Sequence, residues 1–154
     1  MTLDLEKLIL LYDENFMELS VKGVFKEFLG IPFGINLNSC KISSCKCFTD
    51  FLLPTIKFSR FDEWFVDEKA EEVEYIKKAL LFNAPISLDK DSIRLEIESV
   101  NRYLEENKIE QIIEIEGFNE SLEYGYKFNF NWNHWSMVGV SQNYYLAYHW
   151  YTTE

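Results

Sequence analysis

Residues 124–151 read YGYKFNFNWNHWSMVGVSQNYYLAYHWY, and this segment decides the fold. From Tyr124 to Trp132 every second residue is aromatic, and the residues between them are glycine, lysine or asparagine. Alternation with a period of two places the rings on one face of a β-strand and the small or polar groups on the other. Aromatic rings in such a pattern are more often buried than used to bind a ligand. We therefore expect a strand whose aromatic face is covered by helices.

The same segment predicts an antiparallel meander. Asn133 and His134 suit one tight turn, and 141–143 suit a second. A further strand over 111–116, followed by a turn at 117–120, brings the meander to about four strands. The last strand, over 144–151, is aromatic on both faces. It is therefore either central and covered twice, or it uses one face for binding.

The N-terminal half predicts helices. Apolar residues recur with helical spacing first over 5–19 and then over 21–28, and the change of face between the two sets indicates either two helices or a kink near 20–23. Gly30 and Pro32 end the second helix. Residues 31–60 have mixed signals, typical of a loop with short strands at 34–37 and 55–58.

The middle of the chain predicts two more helices. Residues 61–82 form an amphipathic pattern that ends before Pro85. Residues 87–107 are ambiguous, because Ile93 and Ile97 fit both a strand and a helix. The segment is long for a strand and rich in Glu, Leu and Arg, which favours a helix with Asp91 as its cap.

These elements together predict an α+β fold. The N-terminal and middle helices would pack on one face of a C-terminal antiparallel β-meander, within a single domain spanning 1–154. The second face of the sheet would be wetter. The side chains expected on it are Lys127, Asn129, Asn131 and His149.

Composition restricts the location of the protein. No stretch approaches 18 apolar residues, and the N-terminus lacks a basic leader followed by an apolar run, so we expect a cytoplasmic protein. Cys40, Cys45 and Cys47 form an odd set within eight positions, which suits a reducing compartment.

The charge of the chain is unevenly distributed. Residues 1–60 hold 7 basic and 7 acidic residues, whereas 61–123 hold 7 basic and 18 acidic residues. The net charge of −11 therefore arises in the middle segment. Such a surplus repels phosphate backbones and anionic lipids, which argues against direct binding to nucleic acid or membranes. It attracts basic proteins, although acidic helix faces are also common as solvated surface.

Chemical motifs are weak. The cysteines have C-x4-C-x-C spacing, unlike the paired knuckles of zinc sites, and buried structural thiols are the simpler interpretation. His134 and His149 lie beside tryptophans in the meander, where a structural role is more typical than a catalytic one. No nucleophile elbow, phosphate loop or zinc-protease motif is present in the sequence. We expect no enzyme activity, cofactor or metal.

The functional hypothesis is a non-enzymatic, acidic inhibitor of a basic partner. Immunity proteins and antitoxins against nuclease toxins are proteins of this kind, and they mask a basic active cleft. The predicted partner-binding residues combine aromatic anchors with acids of the middle helices. They are Trp64, Glu68, Glu71, Glu72, Tyr75, Glu98, Glu105 and Glu106.

Two alternatives belong to other classes. A small-molecule-binding protein or enzyme would hold a pocket of at least about 300 Å³ between the helices and the aromatic sheet, with His134 or His149 pointing into it. An oligomeric scaffold would instead expose 144–151 as an edge.

Overall fold

The structure is a computed structural model that describes residues 3–29, 33–58, 69–106, 115–131 and 134–152. The helices within these ranges are α1 (Leu5–Asn15), α2 (Phe48–Phe58), α3 (Lys69–Phe82) and α4 (Lys90–Glu106). The strands are β1 (Val24–Leu29), β2 (Phe33–Lys41), β3 (Ile86–Leu88), β4 (Tyr124–Asn131), β5 (His134–Val140) and β6 (Tyr144–Thr152). Short 3-10 helices follow α1 at Phe16–Glu18 and β2 at Ile42–Ser44.

The strands form one antiparallel sheet in the order β1-β2-β6-β5-β4-β3. The C-terminal strand β6 lies inside this sheet, hydrogen-bonded to β2 on one side and to β5 on the other. Its residues Tyr145 and Tyr148 point to opposite faces, and both are buried. Of the two alternatives left open for this strand, the structure therefore supports the first, a central strand covered on both faces.

One face of the sheet is covered by α1, α2 and α3, and is called here the three-helix face. Tyr126 and Phe128 of β4 are 3% and 1% exposed on this face, which confirms the predicted aromatic side of the strand. The helical residues that cover these rings include Leu8, Tyr12, Phe51, Leu52, Ile76 and Leu80. Phe130 and Trp132 extend the pattern, but their side chains lie outside what the structure describes.

The opposite face is covered by α4 and by residues 115–123, and is called here the α4 face. Ile93 and Val100 of α4 are buried with Phe118 and Leu122 of that segment. The sheet residues beneath them are Ile35, Leu37, Met137, Leu146 and Tyr148. The prediction of helices on one face of a sheet of about four strands is therefore wrong: six strands lie between two helical layers.

A pair of glycines makes room for α4. Gly125 and Gly139 are directly opposite each other on β4 and β5. A Cβ atom on Gly125 would lie 2.5 Å from Cδ1 of Ile93, and one on Gly139 would lie 2.7 Å from Cδ1 of Leu122. Gly125, which lies between two aromatic rings of β4, and Gly139 therefore mark a second buried face, which the alternation suggested would be wet. The side chains of Asn129 and Asn131 lie outside what the structure describes.

The N-terminal half holds two further corrections. The helix predicted over 21–28 is wrong, because β1 occupies it and its residues Val24 and Phe25 point to opposite faces. Gly23 turns the chain into this strand at φ +81°. The strand predicted at 55–58 is also wrong, because it is the last turn of α2, which contains Pro54. The strand at 34–37 is confirmed as part of β2.

The helix predicted over 5–19 is confirmed as α1, which ends at Asn15. The helix predicted over 61–82 is described from Lys69 onward. The helix predicted over 87–107 is confirmed as α4, but its cap is Asp89 rather than Asp91. Oδ1 of Asp89 accepts a hydrogen bond from the backbone N of Ser92 at 2.8 Å. Within the described ranges, no helix combines the length and apolar character needed to cross a membrane.

The structure confirms only part of the predicted meander. The turns at 117–120 and 141–143 are confirmed. Residues 111–114 of the predicted strand lie outside the described residues, and Ile115 and Glu116 are not in a strand. His134 belongs to β5 rather than to a turn, while Asn133 lies outside the described ranges.

Candidate functional site

Among the predicted partner-binding residues, Tyr75 does not share a surface with the acids of α4. Tyr75 of α3 is partly buried against the three-helix core, whereas the acids of α4 lie on the other side of the sheet. The exposed acids of α4 in the predicted set are Glu98, Glu105 and Glu106. Glu71 and Glu72 lie in α3, and Trp64 and Glu68 lie outside the described residues.

Cations are interleaved with the acids on the α4 face. Arg94 lies 3.8 Å from Asp91 and 4.0 Å from Glu98. The other ion pairs on this face are Lys41 with Glu116, Lys90 with Glu123 and Lys127 with Glu96. Exposed pairs of this kind contribute about 0 to 1 kcal/mol each. The exposed surface of α4 is therefore of mixed sign.

A groove runs between α1 and α3 on the outside of the three-helix face. It has a volume of about 610 Å³. Its lining residues, which define the α1–α3 groove, are Glu6, Ile9, Leu10, Asp13, Val73, Glu74, Lys77 and Leu81. The groove thus combines apolar residues with three acids and one lysine.

Large apolar side chains are exposed in this groove. Leu10 is 56% exposed and Leu81 is 60% exposed, and the next residue along α3, Phe82, is 87% exposed. Single exposed leucines are ordinary, but two that face one groove form a patch of the kind that binds other proteins. Within the described ranges, neither Glu6 nor Glu74 forms an ion pair, in contrast to the acids near α4.

Sequence reasoning missed this groove. The helical spacing of α1 and α3 identifies their buried sides, but it does not show that the two helices lie side by side. Leu10 and Leu81 are apolar, yet they lie outside the core-facing stripes of their helices. This position was the feature of the sequence that could have identified the groove.

A polar row crosses the three-helix face beside α2. Asn36 of β2, His149 of β6 and Ser136 of β5 are register neighbours. They are 3%, 2% and 2% exposed, respectively. Oγ of Ser136 and Nδ1 of His149 are hydrogen-bonded at 2.5 Å. Because both residues of this pair are buried, the hydroxyl is not presented to a substrate in solvent.

A narrow pocket lies over one end of this row. Its lining residues, which define the Asn36 pocket, are Val21, Phe25, Asn36, Asn38, Thr55, Ala147 and His149. The whole space, including its mouth, is about 250 Å³. His149 therefore lies beside a pocket on the three-helix face, and its predicted place on the other face is wrong. The side chain of His134 lies outside what the structure describes.

Hydrogen bonding in the Asn36 pocket is incomplete. Nδ2 of Asn38 donates to Oγ1 of Thr55 at 3.4 Å, and that hydroxyl donates to the carbonyl of Phe51 at 2.9 Å. Among the described residues, Oδ1 and Nδ2 of Asn36 and Oδ1 of Asn38 have no hydrogen-bond partner. Buried amide groups without partners are rare in folded proteins.

Cys40 and Cys45, but not the exposed Cys47, have the properties of structural thiols. Cys40 is buried, Cys45 is half-buried and Cys47 is exposed. Sγ of Cys45 donates to Sγ of Cys40 at 3.4 Å. Burial, followed by this hydrogen bond, raises the pKa of the Cys45 thiol to about 12, whereas zinc binds thiolates. In the described part of the chain, no group of three His, Cys, Asp or Glu side chains is placed to hold a metal ion.

Family models, curated proteins and solved structures were all compared with this chain, and none of them matches it.

Proposed function

We propose that this protein is a non-enzymatic inhibitor that binds a basic protein partner, as an immunity protein or antitoxin binds a nuclease-type toxin and masks its active cleft. The observation that carries the proposal is the α1–α3 groove, where exposed Leu10 and Leu81 lie among acidic residues. An interface of this composition supplies both apolar burial and charge complementarity.

The apolar part of the groove supports tight binding. Hot spots in protein interfaces are well-packed apolar or aromatic anchors within a rim that excludes water. Leu10 and Leu81 offer such a surface on two different helices. A partner side chain that inserts between them would lose contact with water along with both leucines.

The acidic part supports selection of a cationic partner. Glu6, Asp13 and Glu74 outnumber Lys77 at the groove, and the whole chain has a net charge of −11. The long-range field of such a protein raises the association rate of a basic protein by about tenfold to a thousandfold at low salt. The acids of α4 lie on a separate surface, and their contact with the partner remains a prediction.

The test is to express this protein together with the product of the adjoining gene. The host is a cell whose growth that product inhibits. Protection by the wild-type protein is expected, together with a complex that weakens between 50 mM and about 500 mM salt. The double variant Glu6→Lys and Glu74→Lys should weaken binding by about tenfold or more at low salt, mainly through the association rate.

The matched control is the double variant Glu14→Lys and Glu18→Lys. It makes the same change in net charge on exposed acids at the C-terminal end of α1 and in the turn that follows, which do not line the groove. It should bind at close to the wild-type level. Equal loss in both variants would show that the groove is not the contact, and binding indifferent to salt would contradict the proposal as a whole.

A further inference from the structure

In the described part of the chain, the side-chain amide of Asn36 is the buried group that lacks the most hydrogen bonds. It is 3% exposed, and neither its oxygen nor its nitrogen meets a hydrogen-bond partner among the described residues. Oδ1 of Asn38, which lies two residues further along the same face of β2, also has no hydrogen-bond partner among the described residues. Both asparagines line the Asn36 pocket, so a group that enters it would meet two free acceptors and one free donor.

The pocket joins this polar floor to apolar walls. Val21, Phe25 and Ala147 line it beside the asparagines, and Phe25 is 38% exposed. The described lining residues include no carboxylate, lysine or arginine. A charged ligand would lose its hydration without gaining an opposite charge, which is costly. The lining therefore favours a neutral group on an aliphatic stem.

We propose that the Asn36 pocket binds a primary carboxamide. The amide nitrogen of the ligand would donate to Oδ1 of Asn36 and Oδ1 of Asn38, and its carbonyl would accept from Nδ2 of Asn36. A carboxamide matches the three free groups with one planar head, and its stem lies along Val21 and Phe25. This binding activity is independent of the α1–α3 groove.

The narrow floor sets the size of the ligand. The whole space, mouth included, is about 250 Å³, which accepts one small head group and a short chain behind it. The head can belong to a free metabolite amide or to a glutamine side chain of a peptide. The chemistry at the floor is the same in both cases.

The experiment is an NMR titration of the intact protein with propionamide, following the side-chain NH2 signals of its asparagines. We expect saturable shifts of the Asn36 and Asn38 signals, with a dissociation constant on the order of 1 mM for so small a probe. Butan-2-one, which lacks the NH2 donors, and propionate, which is charged, should each bind at least about tenfold more weakly.

Variants locate the site. Asn36→Leu should abolish the shift of Asn38, whereas Asn83→Leu, at an exposed position after α3, should leave it unchanged. The wild-type titration decides the proposal even if Asn36→Leu fails to fold. Unchanged Asn36 and Asn38 signals at saturating probe would overturn the proposal and assign the pocket to an ordered water alone.

Two further probes separate the sources of the carboxamide. N-acetyl-glutamine methylamide represents a peptide side chain, and free L-glutamine represents a metabolite. Tighter binding of the first than of propionamide supports a protein ligand, and tighter binding of the second supports a metabolite. If neither probe shifts the Asn36 signal while propionamide does, the pocket accepts simple amides. If all three fail, the proposal is wrong.

Discussion

Asp50, in the first turn of α2, links that helix to Lys22, which lies two residues before β1, and to Lys46, which lies before α2. Its Oδ2 lies 2.8 Å from Nζ of Lys22 and accepts a hydrogen bond from the backbone N of Lys46 at 3.1 Å. The bond from Lys22 is the main cause that holds the pKa of Asp50 below its ordinary value, and the same bond raises the pKa of Lys22. The stabilisation from Asp50 is therefore complete above its unfolded pKa of about 3.9 and is lost as pH falls through the lower folded value.

The variant Asp50→Asn should lower the free energy of unfolding at pH 7 by about 1 kcal/mol, because the pair is partly exposed and screened. The difference from wild type should shrink towards pH 2, where Asp50 of the wild type is also neutral. Urea denaturation at both pH values measures it, with Glu14→Gln as a control at an exposed site. An equal difference at pH 7 and pH 2 would contradict an electrostatic cause.

Thiol reactivity is a second property that belongs to single residues. Because the pKa of Cys45 is raised to about 12, almost none of its thiol is ionised at neutral pH, and the thiolate is the reactive form. Cys47 is exposed, so iodoacetamide should alkylate it at least about tenfold faster than Cys45 in the folded protein. Peptide mass spectrometry over time gives both rates. The two rates should become similar in urea, where both thiols are exposed, and similar rates already in the folded state would contradict the burial of Cys45.

At the scale of elements, Ile93 is the most deeply buried residue of α4 among those whose burial the structure describes. Ile93 is fully buried and packs over Gly125 and Gly139. Ile93→Ala should cost about 2 to 5 kcal/mol of unfolding free energy, through lost transfer energy and the cavity left behind. Leu95→Ala, which removes a 60% exposed side chain from the same helix, is the matched control and should change stability by less than about 0.5 kcal/mol. Urea unfolding curves compare them, and equal costs would contradict the packing described here.

The elements also show what the sequence can predict. The aromatic strand β4 and the helix α1 have long regular patterns, and their apolar residues match one period over several pairs or turns. The apolar residues of α4 fit two periods, and its length and its content of Glu, Leu and Arg decided for a helix. β1 is short, and Val24, Phe25 and Phe28 fit helical spacing as well as a strand. α2 was missed because Pro54 lies inside it, a position that usually argues against a helix.

At the scale of the whole molecule, the candidate sites depend on which elements become neighbours. The α1–α3 groove joins residues about 65 positions apart, and the Asn36 pocket joins Val21, Thr55 and His149. Charge counting located the acidic surplus in 61–123 but could not show that α3 and α4 lie on opposite faces of the sheet. α3 itself holds three acids and three lysines, so its acids are already balanced in number.

The interior position of β6 has a consequence for how the chain acquires its structure. β2 has β6 as its inner neighbour, and the partners Phe33 and Thr152 are separated by nearly the whole chain. During synthesis the hairpin of β1 and β2 can form before β6 is made, and the inner edge of β2 then stays unpaired until β6 has left the ribosome. Pairing across so long a loop is slow, so refolding in milliseconds to seconds is expected in stopped-flow fluorescence. Until β6 pairs with it, β2 has an unpaired strand edge, and it is the part of the nascent chain most in need of a chaperone.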